Sequence, residues 1–300
     1  MRIAVTGASG FVGGAAATAL AADGHEVTGF GRKPNGWAGD YRVWDLYEGP
    51  ASHGSFDVVV HSAALADDWV PLAAARRANV DGTRAVLESF PGARFVHLST
   101  SSVYDALTPT IDAREGSSVG ARYLSAYSQT KAEAEQLFTG YNAVILRPHA
   151  VYGPGDTTLL PRILAGVRRR RLVLPGGGRV LHTLTHIDNL VAAIRLAVAS
   201  DERGVFNVGD TAPVFLSDIV TELLQKQNRA DVALASIPYA TAFKVAGNLE
   251  RLHRVTVGRP RLTRYAVSQL GLERTLNLDA ARERLGYRPV ATTLDGAERW

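Results

Sequence analysis

The chain begins Met1-Arg-Ile-Ala-Val-Thr-Gly-Ala-Ser-Gly-Phe-Val-Gly-Gly14, and this stretch decides the predicted fold. Residues 3–5 form a short apolar run that predicts a buried strand. Residues 15–22 are rich in alanine and predict a helix. A glycine turn therefore connects a strand directly to a helix at the start of the chain.

The three glycines of this turn have separate tasks. Gly7 permits the sharp reversal, Gly10 lets backbone N–H groups approach a pyrophosphate, and Gly13 lets the helix lie close to the strand. The helix N-terminus, with its partial positive charge, then faces the phosphates. The spacing predicts a dinucleotide-binding turn, and the alternative is a tight turn without a ligand.

The end of the second predicted strand, residues 25–30, indicates which dinucleotide is bound. An acidic residue about 20 positions after the glycines would bond the adenosine ribose hydroxyls and repel a 2′-phosphate. Gly31 stands at that place, followed by Arg32 and Lys33. Because cations accept a phosphate, we predict NADP(H) in preference to NAD(H), which stays possible. The alternative is that both cations belong to a solvated loop.

Composition limits the class of protein. The chain has 300 residues, of which 46% are hydrophobic, so it can bury a large core. No apolar run approaches the ~20 residues of a membrane span, and nothing marks the chain for export. The absence of cysteine removes disulfides, thiolate metal sites and cysteine nucleophiles. We therefore expect a cytoplasmic protein without a membrane span and without a metal site.

The positive charge raises the question of a polyanion partner. The net charge is +4 and the isoelectric point is near 9.4, with one dense basic run of four arginines at 168–171. We interpret this run as a solvated helix end, where cations also favour the helix dipole. No recognised nucleic-acid module accompanies it. We predict a small-molecule substrate, no nucleic-acid partner and a possible homodimer.

Further strands are predicted at 41–46, 56–61, 94–98 and 143–146, with helical segments between them. The strand at 56–61 is almost wholly apolar, as strands covered on both faces are. A run of hydroxyl residues, 99–102, follows the strand at 94–98, and open α/β sheets place their ligands at this end of a strand. A later segment, 181–187, also has a β-like pattern.

Two residues four positions apart suggest acid/base chemistry. Tyr127 and Lys131 project from one face of a predicted helix, one turn apart. A nearby ammonium favours phenolate over phenol, so it lowers the pKa of the tyrosine and helps it exchange a proton with a substrate oxygen. The alternative is an exposed pair on a surface helix. Asn79, polar among apolar helix residues, is interpreted as satisfying backbone groups of a neighbouring strand.

Taken in order, five motifs resemble those of the extended short-chain dehydrogenase/reductases, the superfamily of NAD-dependent epimerases and dehydratases; the motifs are Thr6-Gly7-x-x-Gly10-x-x-Gly13, Asp45-Leu46, Asn79, Ser99-Thr100 and Tyr127-x-x-x-Lys131. The resemblance implies an α/β fold, in which a Rossmann-type doubly wound parallel sheet is interleaved with a smaller α/β C-terminal substrate domain. We assign residues 1–154 with 180–208 to the dinucleotide-binding domain, and residues 155–179 with 209–300 to the substrate domain.

The resemblance also implies roles for individual residues. Thr100 would orient the substrate oxygen, Tyr127 would be the acid/base, and Lys131 would hold the ribose and lower the tyrosine pKa. Ser101 and Ser102 are close substitutes for Thr100. The cofactor contacts predicted in this way are Gly7, Ser9, Gly10, Phe11, Val12, Gly13, Arg32, Lys33, Asp45, Leu46, Ser62, Ala63, Ala64, Leu98, Ser99, Tyr127, Lys131, Pro148 and Val151.

Departures from subfamilies narrow the activity. Sugar 4,6-dehydratases have Asp-Glu after the catalytic threonine, whereas Ser101-Ser102 stand here, so the carboxyls that elimination requires are missing. In nucleotide-sugar epimerases an asparagine and an arginine hold the substrate diphosphate, and these positions fall on Ala150 and His182. Segments 146–156, 185–189 and 260–264 look like the 3β-hydroxysteroid dehydrogenase-like and 2-alkyl-3-oxoalkanoate reductase branch, whose members act on apolar hydroxyl or keto substrates.

The resulting prediction is an NADP(H)-preferring reductase or dehydrogenase of a secondary alcohol or ketone. The predicted substrate-binding residues are Ser101, Ser102, His149 and His182, although His149 has the alternative of a packed loop histidine. A nucleotide-sugar epimerase or 4-ketoreductase is the second reading. A non-enzymatic redox sensor is the third, and the presence of Thr100, Tyr127 and Lys131 argues against it.

Overall fold

The structure is a computed structural model, and it describes residues 1–117, 119, 122–256 and 258–300. Its strands are β1 Arg2–Thr6, β2 Glu26–Gly31, β3 Asp40–Val43, β4 Val58–His61, β5 Arg94–Leu98, β6 Thr110–Ala113, β7 Ala143–Pro148, β8 Val151–Tyr152, β9 Arg171–Pro175, β10 Leu181–His182, β11 Thr185–His186, β12 Gly204–Val208, β13 Val214–Phe215, β14 Ala233–Ile237 and β15 Arg274–Leu276.

The α-helices lie between these strands and at the end of the chain. They are α1 Phe11–Ala22, α2 Leu72–Arg76, α3 Gly82–Ser89, α4 Ala126–Gln136, α5 Leu159–Ala165, α6 Ile187–Ala199, α7 Leu216–Lys226, α8 Tyr239–Val255, α9 Arg264–Gly271 and α10 Asp279–Arg284. A π-helical turn, Arg77–Asp81, joins α2 to α3 without a break. None of the helices in the described ranges is both long enough and apolar enough to cross a membrane.

Seven parallel strands form the central sheet in the order β12-β7-β5-β4-β1-β2-β3. In this order the chain runs outward from β1 in one direction and then in the other, so the sheet is doubly wound, as predicted. The reversal lies between β1 and β4, and a ligand crevice is expected at the carboxyl ends of the strands there.

Apolar side chains from both faces of the sheet explain why its inner strands are wholly buried. One core contains Val5 of β1, Leu20 of α1 and Leu190 of α6. The opposite core contains Val59 of β4, Phe90 after α3 and Phe138 after α4. Because helices cover both faces, the inner strands need no polar alternation.

A second group of strands lies beside the central sheet. A four-stranded sheet has the order β13-β10-β15-β6, and two further pairs join β11 to β8 and β14 to β9. Strands β6 and β10 belong to the ranges assigned to the dinucleotide-binding domain, yet they pair in this smaller sheet. The domain boundaries stay a prediction. The chain crosses between the central sheet and the smaller sheet more often than the predicted boundaries imply.

Three local predictions need correction. The strand expected at 41–46 ends at Val43, because the Asp45 side chain accepts a hydrogen bond from the Tyr47 backbone N–H and starts a short 3-10 turn. The arginine run 168–171 is not a helix end: α5 ends at Ala165, and Arg168 and Arg171 close a tight turn into β9. The β-like segment 181–187 divides into β10 and β11, which pair in different sheets.

Candidate active site

A cavity of about 1200 Å³ opens at the carboxyl edge of the central sheet. Its walls contain most of the residues predicted for the cofactor and the substrate; these are Gly7, Ser9, Gly10, Phe11, Val12, Gly13, Arg32, Asp45, Leu46, Ser62, Ala63, Ala64, Leu98, Ser99, Thr100, Ser102, Tyr127, Pro148, His149, Val151 and His182. Lys33, Ser101 and Lys131 do not line it. The topology therefore gathers most predicted site residues around one space.

The glycine turn leaves room where side chains would otherwise stand. Gly7 has a positive φ of 73°, and a Cβ there would lie 2.8 Å from the Ala63 backbone nitrogen. A Cβ on Gly13 would lie 2.2 Å from the Gly7 carbonyl oxygen, so the helix packs on the turn only without a side chain. Gly10 caps α1 with no side-chain hydrogen bond. This turn fits a pyrophosphate, which would take up N–H groups of the first helical turn.

The end of the cavity that is predicted to hold the adenosine is shaped by tyrosines and arginines. A Cβ on Gly31 would lie 2.4 Å from the Tyr41 hydroxyl oxygen, so Tyr41 fills the space that an acidic residue would need. Arg32 lines the cavity with its guanidinium carbon 5.9 Å from the Tyr47 ring centre. Arg77, which sequence reasoning missed, lies 4.8 Å from the same ring. Two guanidinium groups thus lie close to one aromatic ring at this end of the cavity.

Tyr127 and Thr100 form the centre of the site. Ser125 caps α4, because its hydroxyl accepts a hydrogen bond from the Ser128 backbone N–H at 3.1 Å, and the cap fixes the first turn that carries Tyr127. Desolvation raises the pKa of Tyr127, the neighbouring Tyr265 adds to this, and a hydrogen bond with the Thr100 side chain opposes it. The pKa of Tyr127 is therefore raised, opposite to the lowering expected from Lys131. Tyr127 holds its proton at neutral pH.

Lys131 lies behind the cavity wall. It is buried, and its ammonium donates a hydrogen bond to the Leu98 carbonyl oxygen at 2.6 Å and lies 3.2 Å from His97 Nε2. Burial lowers the pKa of Lys131 to about 8. Burial and the Lys131 charge lower the pKa of His97 well below its ordinary value, so this imidazole accepts from the ammonium. His97 is a contact of Lys131 that the sequence did not reveal.

Asn79 has the predicted role with a different partner. Its side-chain oxygen accepts from the Leu65 backbone N–H at 2.7 Å, and its amide nitrogen donates to the Thr130 hydroxyl at 2.9 Å. The backbone that Asn79 satisfies is thus the loop after β4, not a strand. The same side chain ties this loop to α4.

A buried ion pair fixes Ser99. Glu135 of α4 and Arg147 of β7 are joined by a contact of 2.6 Å, with side chains 4% and 3% exposed. Ser99 donates its hydroxyl hydrogen to Glu135. Arg147 also donates to the Tyr104 hydroxyl at 3.1 Å. The network locks the carboxyl end of β5 against α4.

The histidines predicted to bind substrate lie together. His149 follows β7 and His182 ends β10; their Nε2 and Nδ1 atoms are 3.1 Å apart. Ser101 lies 2.9 Å from His149 Nδ1, so it contacts the histidine and not the cavity. Ala150, which lines the cavity, has a φ of 47°, a left-handed conformation that alanine rarely adopts.

Two further residues of the cavity wall were missed in the sequence. Tyr265 of α9 lines the cavity beside Tyr127 and follows directly after the segment 260–264 that carried part of the resemblance. Asp68, in the loop after β4, pairs with Arg162 of α5 and with Arg259, and it accepts from the Thr263 hydroxyl at 2.6 Å. Asp68 therefore connects the loop after β4 to α5 and to the segment that precedes α9.

Ser125 offers a test of the local structure around Tyr127. Ser125→Ala removes the cap of α4, and we expect the free energy of unfolding to fall by about 1 kcal/mol. Chemical denaturation measures this change. Ser52→Ala, at an exposed loop position, is the matched control and should change stability by less than about 0.5 kcal/mol. Equal effects of the two substitutions would contradict the capping role.

Comparison with known proteins adds three findings. Residues 3–209 match the model of the NAD dependent epimerase/dehydratase family. A protein of Stigmatella aurantiaca, named 4-hydroxy-2-methyl-3-oxo-4-farnesyl-3,4-dihydroquinoline-1-oxide ketoreductase, is 34% identical over 323 residues, which cover 99% of this chain and 95% of that protein. A 2-alkyl-3-oxoalkanoate reductase of Stenotrophomonas maltophilia is 31% identical over 325 residues, covering 100% and 98%.

A solved structure has the same fold. The UDP-glucuronic acid 4-epimerase of Bacillus cereus, in complex with UDP-glucuronic acid and NAD, superposes with a TM-score of 0.72 at 22% identity, covering 99% of this chain and 97% of that one. At this identity the likeness concerns the architecture of the two proteins.

Proposed function

The chain belongs to the NAD-dependent epimerase/dehydratase family, and we propose that within it this enzyme is an NADP(H)-preferring ketoreductase or secondary-alcohol dehydrogenase acting on a largely apolar small molecule. The family makes it an NAD-dependent enzyme of the extended short-chain dehydrogenase/reductase type. The preference for the phosphorylated cofactor, the ketone substrate and the role of Tyr127 are the proposal.

The apolar cavity wall carries the proposal. Many residues of the cavity wall that come from α5, β9 and the segment 262–270 are aliphatic; they include Leu159, Leu160, Ile163, Leu172, Leu174, Leu262 and Leu270. An apolar wall stabilises an apolar ligand by removing its surface from water, roughly 25 cal/mol per Å². A sugar would leave its hydroxyls facing this wall without partners.

Two polar residues of the same cavity supply the proton chemistry. We assign Thr100 to orient the substrate oxygen and Tyr127 to donate the proton to it. The raised pKa of Tyr127 keeps the phenol protonated at neutral pH, which suits an acid in the direction of ketone reduction. When bound, the cofactor supplies the hydride. In this proposal Lys131 has a structural role through its contact with Leu98. We also assign to it the contact with the cofactor ribose that the family resemblance implies.

The charges of the cavity argue against a diphosphate-bearing substrate. Arg162 and Arg259 line the cavity, but both pair with the carboxylate of Asp68. The positions that hold the diphosphate in epimerases carry Ala150 and His182. The two relatives, at 34% and 31% identity, are named as reductases of oxo compounds, and this supports the ketoreductase over the epimerase.

The proposal is tested by incubating the purified protein with NADPH and two panels of compounds, aliphatic or alicyclic ketones and nucleotide sugars. We expect loss of absorbance at the reduced-nicotinamide band with ketones. Isomerisation of a nucleotide sugar without net consumption of cofactor, combined with no reduction of any ketone, would show an epimerase instead. A homodimer, the cytoplasmic location and the two-domain boundaries stay predictions beside this proposal.

A further inference from the structure

Charge is divided unevenly along the chain. Of its 33 Lys and Arg residues and 29 Asp and Glu residues, the segments 157–179 and 239–264 together contain twelve and one, respectively. The rest of the chain therefore contains 21 and 28. The modest net charge of +4 is thus the sum of a strongly basic part and an acidic remainder. A separation of this kind creates a surface that attracts anions.

The two basic segments lie together at the wall of the cavity. Arg162 from the first and Arg259 from the second contact the same carboxylate oxygen of Asp68. Strand β9 pairs with β14, which leads into α8, and α9 packs against both β9 and α8. Arg168 and Arg261, one from each segment, are exposed and line the cavity. The cavity therefore reaches the surface among these cations.

Most of the twelve cations have no carboxylate partner. Four of them form ion pairs, namely Arg162, Arg170, Arg259 and Arg264. The other eight are exposed and make no ion pair with any residue that the structure describes; they are Arg168, Arg169, Arg171, Arg179, Lys244, Arg251, Arg254 and Arg261. We call the surface that these eight residues form the basic face. Their mutual repulsion would be relieved by an anionic partner.

Exposed aliphatic side chains accompany the cations. Val173 of β9 is 54% exposed and lines the cavity, and Val245 and Leu252 of α8 are 43% and 54% exposed. The two α8 residues are seven positions apart, so they lie on one face of the helix, and Lys244 and Arg251 directly precede them. Aliphatic groups beside cations on one helix face suit the boundary of an anionic lipid bilayer, where the cations meet phosphates and the aliphatic groups meet acyl chains.

The same observations favour a bilayer over other polyanions. A single-stranded nucleic acid is bound through aromatic side chains that stack on its bases, whereas the exposed large apolar side chains of the two basic segments are aliphatic. An acidic protein would match the charges. A bilayer also matches the apolar wall of the cavity that opens here, because a compound suited to that wall dissolves in lipid.

We propose that the basic face binds the surface of an anionic lipid bilayer, with Val245 and Leu252 at the headgroup boundary, so that the cavity opens toward the lipid and receives an apolar substrate from it. The inference goes beyond the proposed function, because it names a partner for the surface around the cavity. Only the entry of the substrate from lipid rests on the proposed function.

The test measures co-sedimentation of the full-length protein with vesicles of phosphatidylcholine, alone or mixed in equal parts with phosphatidylglycerol. We expect binding to the mixed vesicles only, and weaker binding at high salt. The triple variant Lys244→Gln, Arg251→Gln, Arg254→Gln should weaken binding by about 100-fold, at roughly fivefold for each cation near the surface. None of these three residues lines the cavity.

A second triple variant serves as the matched control. Arg114→Gln, Arg203→Gln, Arg288→Gln removes the same charge at exposed positions outside the basic face. It should weaken binding by less than about fivefold, because only the long-range attraction changes. If the α8 variant does not fold, the same comparison is made with the first segment; that variant is Arg169→Gln, Arg171→Gln, Arg179→Gln.

The aliphatic residues have a readout of their own. Val245→Ser with Leu252→Ser keeps every charge, and we expect it to weaken binding to the mixed vesicles by about tenfold at both salt concentrations, because apolar burial is not screened. Unchanged binding of this variant would overturn the placement of α8 at the headgroup boundary.

Three results overturn the whole proposal. They are no binding to the mixed vesicles at low salt, equal losses in the α8 variant and its control, and tighter retention on polyglutamate or duplex DNA than on the vesicles. The last would assign the basic face to an acidic protein or a nucleic acid. Vesicle binding is measured without substrate, so it can succeed when no ketone is reduced, and ketone reduction can succeed when the vesicles do not bind.

Discussion

Replacing Tyr127 by phenylalanine is expected to lower the turnover number for ketone reduction by about 100-fold or more, the usual contribution of general acid catalysis. The substitution removes the proton donor and keeps the ring that fills the wall beside Thr100. Binding of the cofactor should stay close to that of the unmodified protein, because the glycine turn and Arg32 are untouched. Steady-state kinetics with a verified ketone and titration of NADPH measure the two quantities.

Tyr265→Phe is the matched control for this prediction. Tyr265 lines the same cavity, and desolvation raises the pKa of its hydroxyl as it does for Tyr127. The two substitutions therefore make the same chemical change in neighbouring places. A small loss with Tyr127→Phe together with a large loss with Tyr265→Phe would reassign the acid to α9.

The raised pKa of Tyr127 also predicts the pH dependence. The Tyr127 phenol stays protonated through neutral pH. Its titration should therefore leave the rate of ketone reduction constant from about pH 6 to 8. Alcohol oxidation needs the deprotonated form, whose fraction grows with pH below the pKa. The oxidation rate should therefore rise with pH over the same range. An oxidation rate that falls over that range would contradict this assignment.

Arg32→Ala is expected to weaken binding of NADPH by about tenfold to a hundredfold in Kd and to leave that of NADH nearly unchanged. The guanidinium can give the 2′-phosphate charge-assisted hydrogen bonds that the free ribose hydroxyl of NADH does not need. High salt should reduce the difference, because this end of the cavity is open to solvent. Titration of both cofactors at low and high salt measures the effect.

Lys33→Ala is the control, because Lys33 is exposed and does not line the cavity. It should change NADPH binding less than Arg32→Ala does, and Arg77→Ala tests the second guanidinium on Tyr47. Equal affinities of the unmodified protein for NADH and NADPH would show that the NADP preference is wrong. Replacing Gly31 by Asp and Arg32 by Ala should reverse the preference, because a carboxylate repels the 2′-phosphate, but a smaller residue is then needed at Tyr41, whose hydroxyl fills that space.

The sequence alone determined those features of the protein that depend on residues close together along the chain. The glycine turn, the helix that follows it and the one-turn spacing of Tyr127 and Lys131 are properties of local backbone geometry, so their residues could be identified from spacing. The apolar strands and the helical segments between them were likewise identified from local patterns, whereas the doubly wound sheet was predicted from the family resemblance. The sequence did not predict where β3 ends, because a side-chain cap sets that point. It also did not predict that residues 168–171 lie in a tight turn and not at a helix end.

The tertiary structure decided what depends on residues far apart in the chain. Ser101, His149 and His182 follow or end strands of two different sheets and meet only in the folded chain, so no spacing along the sequence encodes that meeting. Asp68 finds Arg259 and Thr263 in the same way, across nearly two hundred residues. Even the pKa of Tyr127 was decided by the fold: Lys131 lies one turn away on the helix, but its ammonium donates to the Leu98 carbonyl oxygen, and desolvation raises the pKa of Tyr127.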